Sequence, residues 1–242
     1  MKLFKKAIIG SALALAFSAA QASPITVAGV TWDPDAATDF SSQAINLRQF
    51  IDPLTGVLSG FGVITAFNGT DQDTFCPSCE LTFQFGGYTP VGGTIIPGAG
   101  ETVSYLNGWV NVYVGEREIM NPADYLSLNS ANTGNGALFL SLISNGVFLG
   151  TNLFDTILSG LGFLDVTGGA AASNFDTNTQ NNGSDVRFSA SLTYTHSPLT
   201  GITDMSGTGN MFGNTIPEPA SLALVGLGLL GAGVLRRRST KM

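Results

Sequence analysis

The chain has 242 residues, a formal net charge of −7 at pH 7 and two cysteines. Its lysines all lie near the ends, so residues 23–216 set three arginines against sixteen Asp and Glu, a formal charge of −13. Such an acidic segment lacks the positive surface that nucleic acids and anionic membranes require of a partner. The composition therefore excludes nucleic-acid binding, and the length of this segment suits one domain with its own core.

The N-terminus has the three parts of a secretory signal peptide. Lysines follow Met1, an apolar run covers residues 7–17, and the small-residue triplet Ala20-Gln21-Ala22 ends the segment. The apolar run is shorter than the ~20 residues that a membrane-spanning helix needs. The pattern predicts a signal peptide at residues 1–22, cleaved between Ala22 and Ser23, and an uncleaved anchor is the alternative.

Apolar and polar residues alternate with a period of two through much of residues 23–204, which predicts half-buried β-strands. The predicted strands lie at residues 25–32, 60–67, 81–85, 108–114, 137–143, 147–153 and 185–194. Gly86-Gly87 marks a turn, Asn145-Gly146 favours a tight hairpin, and residues 155–160 suggest a short helix. Seven or more short strands indicate an all-β domain, an antiparallel β-sandwich or jelly roll over residues 23–204.

Two features of this part leave alternatives open. The pattern Leu-Ser-Gly-x-Gly occurs at residues 58–62 and again at 158–162, which means either two related hairpins or a coincidence. Residues 205–216 are rich in Gly, Ser and Asn and form either a last strand or a flexible stalk.

The two cysteines occur as Cys76-Pro-Ser-Cys79, ahead of a predicted strand. A redox Cys-x-x-Cys pair lowers its thiolate pKa at a helix N-terminus, and no helix is predicted after these cysteines. Export to an oxidising compartment favours a structural disulfide between Cys76 and Cys79, with free thiols or a metal as alternatives.

Several acidic residues lie in predicted loops, where carboxylate oxygens are suitable ligands for calcium. These residues are Asp33, Asp35, Asp39, Asp71 and Asp73. They lack the glycine and the final glutamate of a helix-loop-helix calcium site. The sequence therefore leaves two interpretations, a calcium site and a solvated acidic surface.

Aromatic residues on one predicted strand are candidates for sugar binding. Trp109 and Tyr113 share one face of this strand with Asn111 between them, which gives either a buried row or a platform for sugar rings. Catalysis finds little support, because the one histidine, His196, falls on the apolar phase at a strand end and no Gly-x-Ser-x-Gly motif occurs.

The C-terminus contains three elements in a fixed order. They are Pro217-Glu218-Pro219, an apolar stretch at 220–235, and Arg236, Arg237 and Arg238. The apolar stretch would form a transmembrane helix about 24 Å long, shorter than the ~30 Å hydrocarbon core. The arginine cluster would hold the end of the chain on the cytoplasmic side.

These C-terminal residues, 217–242, resemble the sorting tail of the PEP-CTERM family of exported proteins from Gram-negative bacteria. The resemblance implies recognition by an exosortase, a membrane peptidase that would cut near Pro217-Glu218-Pro219 after the helix has placed the protein transiently in the inner membrane. It also implies a final location at the cell surface or in the extracellular matrix, in association with exopolysaccharide.

The sequence thus favours a noncatalytic surface or matrix protein that contributes to biofilm or floc formation. A carbohydrate-binding module, with or without calcium, is one alternative, and a secreted hydrolase is the other.

Overall fold

The computed structural model describes residues 23–36, 40–41, 45–92, 101–119, 124–153, 157–194, 203–216 and 228–229. In these residues the strands are β1 (Ile25–Val27), β2 (Val30–Trp32), β3 (Phe40–Ser41), β4 (Ile45–Ile51), β5 (Leu58–Ile64), β6 (Ala66–Phe67), β7 (Thr70–Asp71), β8 (Cys79–Pro90), β9 (Glu101–Leu106), β10 (Trp109–Glu116), β11 (Ala137–Ser144), β12 (Phe148–Leu153), β13 (Ile157–Gly168), β14 (Val186–Tyr194) and β15 (Thr203–Gly213). The helices are α1 (Gln72–Phe75), α2 (Ala172–Phe175) and 3-10 turns at Tyr125–Ser127 and Asn181–Gly183.

The main sheet closes on itself instead of forming the two packed sheets expected of a sandwich or jelly roll. Going round the ring, β8 pairs with β10, β10 with β11, β11 with β13, β13 with β14, β14 with β15, β15 with β4, β4 with β5, and β5 with β8. The pairs of this ring are antiparallel, and the result is an eight-stranded, barrel-like sheet. The all-β prediction is confirmed, and the open sandwich is wrong because β15 returns to β4 and removes both free edges.

Two positions in the ring are each filled by a pair of successive strands. β9 and β10 both pair antiparallel with β8, at different parts of that long strand. In the next position, β11 pairs with β10 and β12 pairs with β9. β11 and β12 do not pair with each other in the described residues, so the hairpin predicted at Asn145-Gly146 is wrong. Gly146 adopts a φ of +79°, and the amide of Asn145 donates to the carbonyl of Phe163 on β13. The Asn145-Gly146 pair therefore bends the chain between β11 and β12, and both strands belong to the same sheet.

Three further segments differ from their sequence-based predictions. Residues 25–32 form a hairpin, β1 and β2, around a turn at Ala28 and Gly29, both with positive φ. Residues 157–160 belong to strand β13 and not to a short helix. Residues 205–213 lie in strand β15, which resolves the choice between a last strand and a stalk for that part of the segment.

Large aromatic rings and small glycines alternate across the interior of the closed sheet. A methyl group on Gly60 would come within 2.4 Å of Phe85, and one on Gly62 within 2.5 Å of Phe83. On the other side, Gly162 and Gly160 make the same kind of room for Phe148, whose Cδ2 would lie 2.4 Å from a methyl group on Gly162.

The repeated Leu-Ser-Gly-x-Gly pattern thus has a packing explanation. Its two copies lie on β5 and β13, which are opposite each other in the ring. In each copy a buried leucine is followed by two glycines that accept an aromatic ring from a nearby strand. Each copy lies in the second strand of a hairpin, β4–β5 in one case and β12–β13 in the other.

A cluster of aromatic rings closes one end of the barrel. Phe175 of α2 is fully buried, and its ring centroid lies 5.2 Å from that of Trp32 and 6.3 Å from those of Phe67 and Phe139. Trp32 belongs to the hairpin β1–β2, which precedes the strands of the ring, whereas the hairpin β6–β7 and both helices lie in connections between those strands. Burial of such rings contributes roughly 1.5–3 kcal/mol for each side chain.

The segment after β10 covers part of the outer surface of the barrel. Ile119 and Leu128 pack there against Val63, which is fully buried on the outside of β5. Beneath the same segment Glu80 is only 1% exposed, and its Oε2 accepts the amide hydrogen of Ile119 at 3.0 Å. Burial raises the pKa of Glu80, against the opposing effect of the amides of Ile119 and Glu118.

Candidate functional site

Trp109 lies on the outer surface of the barrel at the start of β10. Its indole ring rests on the backbone of two glycines, since a methyl group on either Gly86 or Gly87 would come within 3.1 Å of the ring. The side chain remains 38% exposed, so one surface of the ring faces the glycines and part of the ring faces solvent. The ring of Trp109 is therefore accessible to solvent, and its contact with sugar stays a prediction.

Gly86 and Gly87 form this floor although the sequence pattern marked them as a turn. Both lie inside strand β8, where Gly86 pairs directly with Trp109. Only the register between β8 and β10 brings them under the indole, and that register is a long-range feature. A Gly-Gly pair in the sequence gives no signal of it.

Tyr113 lies four residues further along the same outer surface and is partly buried. It pairs with Leu138 on one side and with Thr82, only 2% exposed, on the other. Asn111, between the two aromatic residues, pairs with Gln84, whose amide donates to the carbonyl of Ser130 at 2.7 Å. The segment after β10 therefore covers the outer surface beside Asn111 and Tyr113. Trp109, at the start of β10, lies beyond this cover.

The carboxylates near the N-terminal hairpin have local hydrogen-bond partners. Asp33 Oδ1 accepts the amide hydrogen of Asp35 at 2.9 Å, and the carbonyl of Asp33 accepts Asn68 Nδ2 at 2.7 Å. Asp39, the third predicted ligand of this group, lies outside the described residues.

The other two predicted calcium ligands stabilise the start of α1 and its surroundings. Asp71 Oδ1 caps the helix by accepting the amide hydrogen of Thr74 at 3.1 Å and its hydroxyl at 2.8 Å. Asp73 forms an ion pair with Arg117 at 2.6 Å. Within the part of the chain that the structure describes, no group of three His, Cys, Asp or Glu could hold a metal ion, so calcium binding stays a prediction.

Cys76 and Cys79 are joined by a disulfide, as predicted. Cys76 is the C-cap of α1 and Cys79 is the first residue of β8, so the bond fixes the helix against the strand. The C-terminal end of a helix carries a partial negative charge, which is opposite to the environment that activates a redox thiol. The surroundings are those of a structural bond.

The chain leaves the barrel at the end that is closed by the aromatic cluster. After β15 ends at Gly213, Thr215 is 7% exposed, and the amide of Ile216 donates to the carbonyl of Asn174 in α2 at 2.9 Å. The backbone is thus held to the folded domain up to the residue before Pro217.

Residues 215–238 match the family model of the PEP-CTERM protein-sorting motif. The chain carries a PEP-CTERM motif. The match confirms the resemblance found in the sequence, and a PEP-CTERM motif indicates an exported protein that is processed through an exosortase. No curated protein and no solved structure matches the chain.

Most of the PEP-CTERM motif lies outside the described residues, including Pro217, Glu218, Pro219 and the cluster Arg236, Arg237 and Arg238. Gly228 and Leu229 are described and have helical backbone. No helix in the described ranges is both long and apolar enough to cross a membrane. The signal peptide, including Ala22, and His196 also lie outside these ranges, so cleavage before Ser23 stays a prediction.

Proposed function

We propose that the protein is a noncatalytic component of the cell surface or extracellular matrix, delivered through its PEP-CTERM motif and associated with exopolysaccharide. The observation that carries this proposal is the motif match at residues 215–238, which begins where the folded barrel ends. A domain placed directly before a sorting tail is the part that remains outside the cell after processing, so the barrel is the working part of the protein.

The barrel interior is closely packed around one small void. A void lined by Leu58, Tyr88, Phe148 and other apolar residues measures about 20 Å³, which is room for roughly one water molecule. Around this void the described side chains leave no room for a ligand, and the proposal therefore places recognition of a partner on the outside of the barrel.

Intact-mass analysis of the native protein tests the sorting. Surface and medium fractions are compared between the producing bacterium and a strain without its exosortase. We expect a species that begins at Ser23 and ends near Pro217 in the first strain alone. Replacement of Pro217 and Pro219 by alanine should prevent this cleavage, whereas the control Leu54→Ala, at an exposed turn, should leave it unchanged.

A species that retains residues 236–242 in both strains would contradict the sorting step. The matrix role is tested separately, by deleting the gene and measuring the polysaccharide-bound fraction of the biofilm and its cohesion. An unchanged biofilm with normal cleavage would leave the sorting intact and contradict the matrix role.

A second candidate function is a carbohydrate-binding module. The specific observation in its favour is the exposed Trp109 ring on its floor of glycines, because aromatic rings held flat on a rigid surface present a π-face to a planar partner.

A further inference from the structure

We propose that Trp109 is the centre of a binding site for neutral polysaccharide, with one sugar ring stacked on the outer surface of the indole. This inference rests on the proposed matrix function and names the class of matrix component that the barrel contacts. It depends on three features of the outer surface around Trp109, which are its rigid support, its lack of charge and its polar edge.

The support of the ring is rigid because it consists of backbone. Gly86 pairs with Trp109, which also pairs with Ile143, and the residues on either side of the two glycines, Phe85 and Tyr88, pair with β5. A ring fixed on a sheet loses little conformational entropy when a ligand stacks on it, which favours binding. The CH groups on one face of a sugar ring match the apolar, electron-rich face of an indole.

Among the described residues, the direct neighbours of Trp109 on the outer surface carry no charge, although the domain is strongly acidic. Its cross-strand neighbours are Gly86 and Ile143, and the next outward position of β10 is Asn111. The next carboxylate along the row is Asp165, paired with Ile143, and both of its oxygens accept hydrogens from Asn145 at 2.8 and 3.0 Å.

The formal charge of −13 on residues 23–216 repels an anionic polymer at long range. A polyuronate would be repelled by this charge, and among the described residues no lysine or cluster of arginines lies beside Trp109 to bind its carboxylates. A neutral glycan meets no such field, and the site therefore selects against acidic polysaccharides.

Polar groups lie at the edge of the ring where sugar hydroxyls would be. Ser59 lies across the glycine floor, with its Cβ 3.7 Å from the position of a methyl group on Gly86. Asn111 lies along the strand on the other side, and the indole Nε1 is a hydrogen-bond donor beside Gly87. Hydroxyl and amide groups of this kind give orientation to a ligand that stacking alone would leave free to rotate.

Affinity electrophoresis of the mature protein, purified from the producing bacterium, tests the proposal. Native gels contain hydroxyethyl cellulose or galactomannan as neutral probes and alginate as the acidic probe. We expect retardation by at least one neutral probe and none by alginate. Trp109→Ala should weaken the binding about tenfold, the order of effect for the loss of one stacked ring.

Two further variants separate stacking from general apolar contact. Gly86→Ala keeps the tryptophan but places a methyl group 3.1 Å from the ring, so it should weaken binding by lifting the indole from its floor. Leu54→Ala removes a more exposed apolar side chain in the turn between β4 and β5 and should bind as the wild type does. Thermal unfolding of each variant confirms that it is folded.

Tryptophan fluorescence gives an independent reading of the same event. Trp32 is only 2% exposed and lies in the aromatic cluster, so a spectral change on adding the neutral probe must come from Trp109. The Trp109→Ala variant should show no such change.

Failure of both neutral probes to retard the protein would overturn the proposal, as would retardation by alginate alone or equal retardation of Trp109→Ala and the wild type. A dimer that buries Trp109, detected by light scattering and dissociated by Trp109→Ala, would also overturn it and make this surface a self-interface. Retardation is measured on the exported protein whether or not its tail has been removed, so these results are distinct from a failure of the sorting step.

Discussion

Gly162→Ala should destabilise the barrel strongly, because this residue faces the ring of Phe148 in the interior. The added methyl group would lie 2.4 Å from Phe148 Cδ2. The ring has little room to retreat, since Tyr88 and Phe188 lie at centroid distances of 5.2 and 6.3 Å and the adjoining void measures about 20 Å³. Overpacking of this kind costs typically 1–3 kcal/mol, and we expect about 2–3 kcal/mol here.

Thermal unfolding followed by circular dichroism measures this effect. For a domain of this size each 1 kcal/mol lowers Tm by about 2–4 °C, so the variant should melt roughly 4–12 °C below the wild type. Gly168→Ala is the matched control on the same strand, because the nearest heavy atom to its methyl group is Ser141 Cβ at 4.0 Å. That control should be neutral or stabilising by up to about 1 kcal/mol.

A double-mutant cycle shows whether the clash is the cause. In a Phe148→Leu background the large ring is absent, and Gly162→Ala should then cost less than about 1 kcal/mol. The reasoning is refuted by equal stabilities of Gly162→Ala and Gly168→Ala, or by a cost that is the same in both backgrounds.

The other predictions concern the disulfide and the buried acid. Cys76→Ala/Cys79→Ala should lose roughly 2 kcal/mol of stability, and reduction of the wild type should give the same Tm. An unchanged Tm would mean that the bond adds nothing to the fold. Because burial raises the pKa of Glu80 above 4.5, the folded state binds more protons, and stability falls as pH rises from 4.5 through the folded pKa. Glu80→Gln should flatten that slope in urea titrations across this range, and an unaltered slope would assign it to other acids.

The β-strands can be predicted from the sequence, whereas the closure of the sheet into a ring cannot. Alternation along residues such as Val186, Leu192 and Ala190 identifies strands, because side chains on a strand point to opposite faces by turns. Whether strands form two layers or one ring depends on the pairing of β15 with β4, which joins distant segments without a local signal. The hairpin predicted at Asn145-Gly146 is wrong for the same reason, because the bend there depends on contacts with β13.

The candidate sites divide in the same way. The PEP-CTERM motif is a contiguous pattern, so the sequence identifies it completely. The surroundings of Trp109 were only half predictable, because its aromatic residue is visible in the sequence but the glycines beneath it come from the register of β8 against β10. The carboxylates of Asp71 and Asp73 gave no hint of their roles as a helix cap and an ion-pair partner, which depend on α1 and Arg117.

The pairing of β4 with β15 also fixes the order of events during biogenesis. One of these strands is near the start of the exported domain and the other is its last, so the ring cannot close before residues up to Gly213 have been delivered. Until then β4 and β14 each present an unpaired edge, which is a template for aggregation. Contacts between such distant segments also form slowly. The sorting motif begins two residues after β15, the strand that closes the ring. The motif is therefore exported immediately after the strand that the domain needs to complete its fold.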